Sequence, residues 1–339
     1  MKIPAPVTGH GPFYCEATGG IDFSPPHRQP LISSMRKLNI QYAFYLGLGS
    51  LIQRMNIQQA RSVGCLVGEM IWKAAPGRRQ IAIQALMSHL GINKLSATRI
   101  ARRNFRHTGI SFVEMFLSRQ IDFRFTTAHV SCNQEKLFQD LIARKRPIVA
   151  TTGHLGSWEL LAPILALYFR DRHRQIIVKH PKDKALAQVM THHRGVGRNE
   201  IIGKDQAAPS VLRCLYENGV SAFLVDHNAQ RNKSIFLPFL GEKASVNIGP
   251  AVLAIRSKAL VCPIFLIRDG CGKYVLDVHH PLDSLLLEGK IQDKVRKVAG
   301  FYTHAVQKMV QSYPEQWFWM HKRWKTRPWK DKEDHLYAE

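Results

Sequence analysis

Acidic residues are scarce in this 339-residue chain, which has 25 Asp and Glu against 48 Lys and Arg. The formal net charge is +23 before 16 histidines are counted. That imbalance argues against a cationic substrate and favours a polyanionic partner: nucleic acid, an anionic membrane surface or a phosphorylated substrate. Cysteine is sparse as well. Cys15, Cys65, Cys132, Cys214, Cys262 and Cys271 form no CxxC and no secreted-domain spacing, so free thiols in a reducing compartment are the simplest reading. The first thirty residues lack the basic start and apolar run of a signal peptide. No stretch reaches the roughly 20 apolar residues needed to span a bilayer. The best candidate, residues 38–52, is interrupted by Asn39, Gln41 and Ser50. It reads as a segment lying on or dipping into a membrane, or as an ordinary core helix. HExxH, GxSxG, phosphate-loop and dinucleotide fingerprints are all absent, and the pairs His192-His193 and His279-His280 lack companion ligands. No metal and no other cofactor is therefore expected.

What is present is an ordinary globular mixture, 45% apolar and 22% charged, long enough to bury a core without staples. Residues 1–35, with Pro4, Pro6, Pro12, Pro25, Pro26 and Pro30, read as an irregular leader. Residues 36–145 read as an N-terminal helical region packing on the core. Pro76 can open a helix through Ile81, Ile83, Leu86 and Leu90, and Ser96 can cap the next one. That next helix carries a basic stripe of Arg99, Arg102, Arg103 and Arg106. From 146 to 330 short β-branched runs alternate with helical ones. This predicts an α/β fold, a central mostly parallel or mixed sheet flanked by helices, ending in a basic aromatic segment.

The segment Thr151-Thr152-Gly153-His154-Leu155-Gly156-Ser157-Trp158-Glu159 ends an apolar run at a turn, where α/β proteins place ligands. On one continuous helix His154 and Glu159 would lie about 140° apart. With Gly153 and Gly156 making a turn and Ser157 capping a new helix, the imidazole can fold back onto the Glu159 carboxylate. A carboxylate on one ring nitrogen fixes the tautomer and leaves the other nitrogen free to take a proton. No activated Ser or Cys accompanies the pair, so the hydroxyl it activates would belong to the substrate. The plainer alternative is a turn histidine beside a glutamate suited to a helix N-terminus. Pro163 should kink or shorten that helix.

Asp226, closing the apolar run before His227 and Asn228, is a second possible partner for His154, a binder of substrate hydroxyls, or a loop cap. Residues 236–241 and the turn Ile248-Gly249-Pro250-Ala251 alternate apolar surface with Gly and Pro. They could wall an acyl groove, with Gly249 touching substrate, or simply pack the core. Trp317, Trp319 and Trp324 are interleaved with His321, Lys322, Arg323, Lys325 and Arg327. That pattern suits a membrane interface, stacking on single-stranded nucleic acid, or a tail docked by its indole faces.

The stretches TTGHLGSWELL, VDHNAQRNKSIFLPFLGEKASVNIGPAVLAIRSKALVCPIFLIRDG and PEQWFWMHKRWKTRP, in that order, resemble the lipid A biosynthesis lauroyl/myristoyl acyltransferases. That family lies within the glycerolipid acyltransferases with an H-x4-[D/E] motif, and the likeness extends over roughly residues 36–330. It implies O-acyl transfer from an acyl-carrier-protein or acyl-CoA thioester to a hydroxyl of an anionic glycolipid. The setting it implies is the cytoplasmic face of the inner membrane, peripheral or monotopic, with no nucleic acid expected. It makes His154, Glu159 and Asp226 the catalytic candidates, and Arg268 a candidate for holding phosphate. Lys179 stands where the family has an arginine and would act as a point charge. Arg323 and Arg327 are further candidate substrate contacts. The family's N-terminal spanning helix corresponds here to the short, polar-spotted 38–52 segment. Rival readings are a nucleic-acid-binding protein and an esterase or thioesterase in which His154 activates water.

Overall fold

The structure, a computed structural model, describes residues 29–270 and 272–328. Most of the expected leader, and with it Cys15 and Cys271, lies outside the described residues. The chain opens with α1 (Gln29–Ile52), which takes Pro30 in its first turn, inside the stretch expected to be irregular. Next come α2 (Ile57–Ala74) and α3 (Pro76–Leu90), the latter opened by Pro76 as expected. In α4 (Lys94–Glu114) the cap is Asn93, whose side chain accepts from the Ser96 amide at 2.9 Å; Ser96 itself lies inside the helix. Among the described residues no helix is long and apolar enough to cross a membrane.

Helices α2 and α4 cross backbone to backbone. A Cβ on Gly109 would come within 2.2 Å of the Gly64 carbonyl oxygen, so only glycines allow this approach. The Arg stripe of α4 stays outside; Arg102 and Arg106 pair with Glu69 of α2. After α5 (Phe123–His129), β1 (Val130–Cys132) and α6 (Glu135–Ala143), the alternating part begins. It runs β2 (Ile148–Thr152), α7 (Trp158–Tyr168), β3 (Arg174–Val178), α8 (Lys184–Arg194), β4 (Glu200–Gly203), α9 (Ala207–Tyr216) and β5 (Val220–Leu224). A hairpin of β6 (Ser234–Phe239) and β7 (Glu242–Asn247) follows. Then come α10 (Gly249–Ser257), β8 (Leu260–Arg268), β9 (Tyr274–Val278), β10 (Leu282–Asp283) and α11 (Ile291–Ser312).

The main sheet has the order β1-β9-β8-β2-β5-β3-β4, with β10 also on β8. Strands β8, β2, β5, β3 and β4 are parallel, and β9 and β10 run antiparallel to β8. This is the α/β fold with a mixed central sheet and an N-terminal helical region that the alternation foretold. Strand β1 pairs with β9, so the sheet also draws on residues N-terminal to 146. Side-chain alternation along β2 divides the core. Val149 joins the layer of α11 with Val298, Tyr302 and Val306. Ile148 and Ala150 join the layer of α7 with Leu160, Leu161 and Ile164. Pro163 is accommodated inside α7, which runs its full length on either side.

Candidate active site

Beyond the paired strand ends of β2 and β5, Thr152 lies opposite Leu224, and the Val225 amide bonds the Thr152 carbonyl at 3.0 Å. Two residues further on, the chains present His154 and Asp226 side by side. The imidazole Nδ1 lies 2.8 Å from Asp226 Oδ1, and the His154 amide donates to Oδ2 at 2.7 Å. Trp317 Nε1 donates to the same Oδ2 at 2.8 Å. The Asp226 side chain is fully buried, whereas that of His154 is 30% exposed. Gly153 permits the contact, since a Cβ there would meet Asp226 Oδ2 at 3.2 Å.

The electrostatics follow from this geometry. Burial works against protonation of His154, but the Asp226 carboxylate, by charge and by hydrogen bond, outweighs it, so the imidazole is more basic than usual. Burial likewise works against an ionised Asp226. The His154 charge and hydrogen bond, His321 and the Trp317 indole reverse this and hold the acid well below the ordinary carboxylate range. An ionised Asp226 can only accept, so Nδ1 carries the ring hydrogen and Nε2 keeps its lone pair. Among the described residues nothing hydrogen-bonds to Nε2. The ring packs near Trp158 and Phe318, with centroids at 5.7 and 6.1 Å.

The expected fold-back onto Glu159 does not occur. Its carboxylate, buried in the first turn of α7, accepts from Arg194 Nε at 2.8 Å and Nη2 at 2.6 Å, and from Trp158 Nε1 at 3.1 Å. The turn carries the His154 ring across the sheet edge toward β5, while α7 carries Glu159 toward α8. Burial opposes ionisation of Glu159, but Arg194 more than compensates, with His154 and the Trp158 bond assisting, and the acid is held low. Its charge still reaches His154 and adds to the ring's basicity. Arg194 went unnoticed in the sequence, where its one signal is a basic last turn of α8.

The turn itself is sutured. Gly156 has φ +64°, and a Cβ there would lie 2.1 Å from the Leu266 carbonyl oxygen. The His154 amide bonds Asp226, that of Leu155 the Gly153 carbonyl, that of Gly156 Gln316 and that of Ser157 Leu266. Four of the five turn amides, those of residues 154 to 157, are thus engaged within the protein, which removes these four as donors to a developing oxyanion. Ser157 precedes α7 but makes no side-chain cap; its hydroxyl donates to Glu114 Oε2 at 2.7 Å.

That bond ties the turn to a buried cluster. Glu114 also accepts from Arg268 Nη2 at 2.7 Å, Arg61 Nε at 3.3 Å and the Tyr274 hydroxyl at 2.8 Å. Arg268 Nη2 further donates to Ser111 at 2.6 Å. With its side chain 2% exposed and its fork committed to Glu114, Arg268 has no free face for a phosphate, contrary to expectation. Releasing it would strand a buried charge.

The other expected contacts divide similarly. Arg323 is 1% exposed and donates to the carbonyls of Ser245 and His227 at 2.6 and 3.3 Å. Burial pulls its pKa down to about 10 although Asp226 resists. It braces the tail and is closed to substrate. Arg327 is exposed and pairs with Glu242. Gly249 opens α10 with its amide on Asn247 Oδ1 at 3.0 Å, and Leu237, Phe239 and Leu240 are core residues. The wall expected for an acyl groove is therefore packing. Trp317 and Trp319 are buried too, which leaves them unavailable to a membrane or to bases and bears out the docked-tail alternative. Lys179, directly after β3, is exposed at the same sheet edge as His154, with no ion pair among the described residues.

Comparison with known sequences adds a family. The profile of the bacterial lipid A biosynthesis acyltransferases matches residues 31–326. A lipid A biosynthesis lauroyltransferase of Escherichia coli is 24% identical over 289 residues, 84% of this chain and 92% of that protein. A lipid A biosynthesis acyltransferase of Haemophilus influenzae is 24% identical over 189 residues, 55% of this chain and 58% of that protein.

Proposed function

The chain belongs to the bacterial lipid A biosynthesis acyltransferase family, and on that premise we propose that His154 is its general base and Asp226 the group that orients it. The reaction is transfer of a fatty acyl chain from an acyl-carrier-protein or acyl-CoA thioester to a hydroxyl of a lipid A precursor-like glycolipid. The observation that carries this reading is the His154 ring, bonded through Nδ1 to buried Asp226 with Nε2 unengaged. Nε2 takes the proton of the acceptor hydroxyl as its oxygen bonds to the thioester carbonyl carbon. The tetrahedral intermediate then collapses, the C–S bond breaks, and the leaving thiolate takes the proton from the imidazolium. Glu159, neutralised by Arg194, supports the site electrostatically and holds the first turn of α7 in place. Lys179 offers an exposed cation at the same edge for an acceptor phosphate.

The enzyme works at the cytoplasmic face of the inner membrane, held on the surface. Two features support that placement: the excess of Lys and Arg, and apolar side chains of α1 turned to solvent, Ile40 68% and Phe44 67% exposed. The test is mass spectrometry of acceptor lipids incubated with the purified protein and an acyl thioester. One added acyl mass on the glycolipid is expected, whereas release of free fatty acid alone would mean hydrolysis. His154→Ala should fold and lose on the order of 10²–10⁴ in rate, and undiminished transfer by that variant would remove His154 from the mechanism.

A further inference from the structure

The segment that follows α11 runs along the turn that carries His154. The Gly156 amide donates to the Gln316 carbonyl at 3.1 Å and the Phe318 amide to the His154 carbonyl at 2.9 Å, so Trp317 bridges antiparallel to Leu155. The segment is fixed from elsewhere as well. Gln316 Nε2 donates to the Arg268 carbonyl at 2.9 Å, and Asn104 of α4 donates to the carbonyls of Glu315 and Trp317. A residue clamped in this way has little choice of where its side chain goes. The Trp317 ring is fully buried and lies edge-on to Trp319 and His321, with centroids at 4.6 and 4.9 Å.

An indole has one polar atom, which donates and cannot accept. In Trp317 it is aimed at Asp226 Oδ2, 2.8 Å away. The His154 amide reaches the same oxygen at 2.7 Å, and Oδ1 meets the ring. The two oxygens of this carboxylate are therefore unequal: Oδ2 holds two donors, neither of which titrates, and Oδ1 is left to the imidazole. Burial asks only that an indole N–H find some acceptor, and Trp319 shows the ordinary solution. Comparably buried in the same segment, it donates at 2.7 Å to the Pro314 carbonyl, a neutral group remote from the chemistry. Trp317 instead finds the one carboxylate that holds His154.

We propose, resting on the general-base reading above, that Trp317 is a positioning residue of acyl transfer: with the His154 amide it occupies Oδ2 of Asp226, fixes the rotation of the carboxylate and keeps Oδ1 on the His154 ring. A carboxylate free to rotate would let the ring turn with it, and Nε2 would lose its aim at the acceptor hydroxyl. A donor on Oδ2 also draws charge away from Oδ1, which tempers the hold of Asp226 on a proton of the ring. Without that donor the imidazolium is better stabilised, while the His154 amide still keeps the carboxylate in reach. The other titratable or charged groups acting on the pair are His227 beyond β5, Glu159 on α7, Arg194 on α8, and His321 and Arg323 of the C-terminal segment. A change that removes only the indole N–H leaves each of these in the protein.

The experiment measures kcat and KM between about pH 5 and 9, alongside Tm, for the full-length protein and three variants. These are Trp317→Phe, Trp319→Phe, and a chain with benzothienylalanine at position 317, the indole isostere that has sulfur in place of the N–H. Both changes at Trp317 should leave KM for donor and glycolipid alone, because the indole is sealed from substrate, and lower kcat about tenfold. The acidic limb of the pH–rate profile should move up by about 0.5–1 pH unit, whereas loss of the carboxylate charge itself would move it down. Trp319→Phe should lose comparable stability and leave the limb unmoved. The sulfur isostere preserves the packing and decides the matter if Trp317→Phe does not fold. Wild-type kcat in the isostere variant, a loss confined to KM, or a limb that stays put or moves down overturns the proposal. So does a limb displaced equally by Trp319→Phe, which would mark a general structural role for the segment. His154→Ala separates the two levels: if it stays active, the general-base reading itself fails. If it is dead while the Trp317 variants keep the wild-type profile, only the role of Trp317 fails.

Discussion

Nε2 of His154 can accept a proton only while the ring is neutral, and the neighbouring Asp226 carboxylate raises the ring's pKa. The activity should therefore fall as pH drops through a value above the ordinary imidazole figure of about 6.5. Removing the carboxylate's charge with Asp226→Asn takes away that support, so the acidic limb of the pH–rate profile should move to lower pH. The plateau rate should drop as well, on the order of 10²–10⁴, because an amide no longer fixes the Nδ1–H tautomer. Profiles of kcat/KM for the two proteins test this; an unmoved limb would separate Asp226 from the base. The imidazole itself was legible in the sequence as a histidine in a glycine-punctuated turn after an apolar run. Its partner was expected to be Glu159, five residues away, with Asp226, 72 residues away, only as a second possibility; the structure puts the ring on Asp226. Strand β3 follows β2 in the chain, but β5 is inserted between them in the sheet. Only that order makes Asp226, and not Glu159, the neighbour of His154. Arg194 was hidden for the same reason, because its relation to Glu159 is created by the packing of α8 on α7.

The turn between β2 and α7 is held from four directions: by Asp226 beyond β5, by Leu266 on β8, by Gln316 and Phe318 of the C-terminal segment, and by Glu114 at the end of α4 through Ser157. Glu114 is fully buried and would be costly to ionise alone, but Arg268, Arg61 and the Ser157 hydroxyl hold it well below its usual pKa. Glu114→Ala leaves Arg268 buried without its counter-charge, so a loss of about 3–5 kcal/mol is expected in denaturant unfolding. A variant within 1 kcal/mol of wild type would show that the cluster can relax. Gly156→Ala strikes the same turn from inside, since its Cβ would overlap the Leu266 carbonyl and its φ is positive. Activity should fall with it even where the rest of the sheet stays folded. At this scale the elements were well marked: the apolar runs that became β2, β3, β5 and β8 lie where alternation put them, and Pro76 opens α3. The C-terminal segment was harder. A mixture of tryptophan and basic residues has the same composition whether its indoles face lipid or core. What decides is a hydrogen bond from Trp317 to Asp226 and two backbone carbonyls that take up Arg323.

Across the whole molecule, the positive charge that composition displays has no single internal use. Some of it is neutralised in pairs such as Arg102 and Arg106 with Glu69 or consumed in burying Glu114 and Glu159. The remainder gives the surface an attraction for anionic headgroups that reaches about 10 Å at 0.1 M salt. The exposed apolar residues of α1 add a second, short-range attraction that salt does not screen. Two attractions of different range predict a two-part salt response. Binding to vesicles containing anionic lipid should weaken as salt rises and then level off at a residual value carried by α1. Replacing Ile40 and Phe44 together by Glu removes the apolar contact and adds repulsion, and should abolish the residual binding and lower affinity at low salt by more than tenfold. Because both side chains face solvent in the free protein, Tm and turnover of a detergent-dispersed acceptor should be unchanged. Co-sedimentation at graded salt reads the binding directly. Equal residual binding by the wild-type and doubly substituted proteins would place the membrane contact elsewhere on the surface and leave α1 as a helix that merely caps the core.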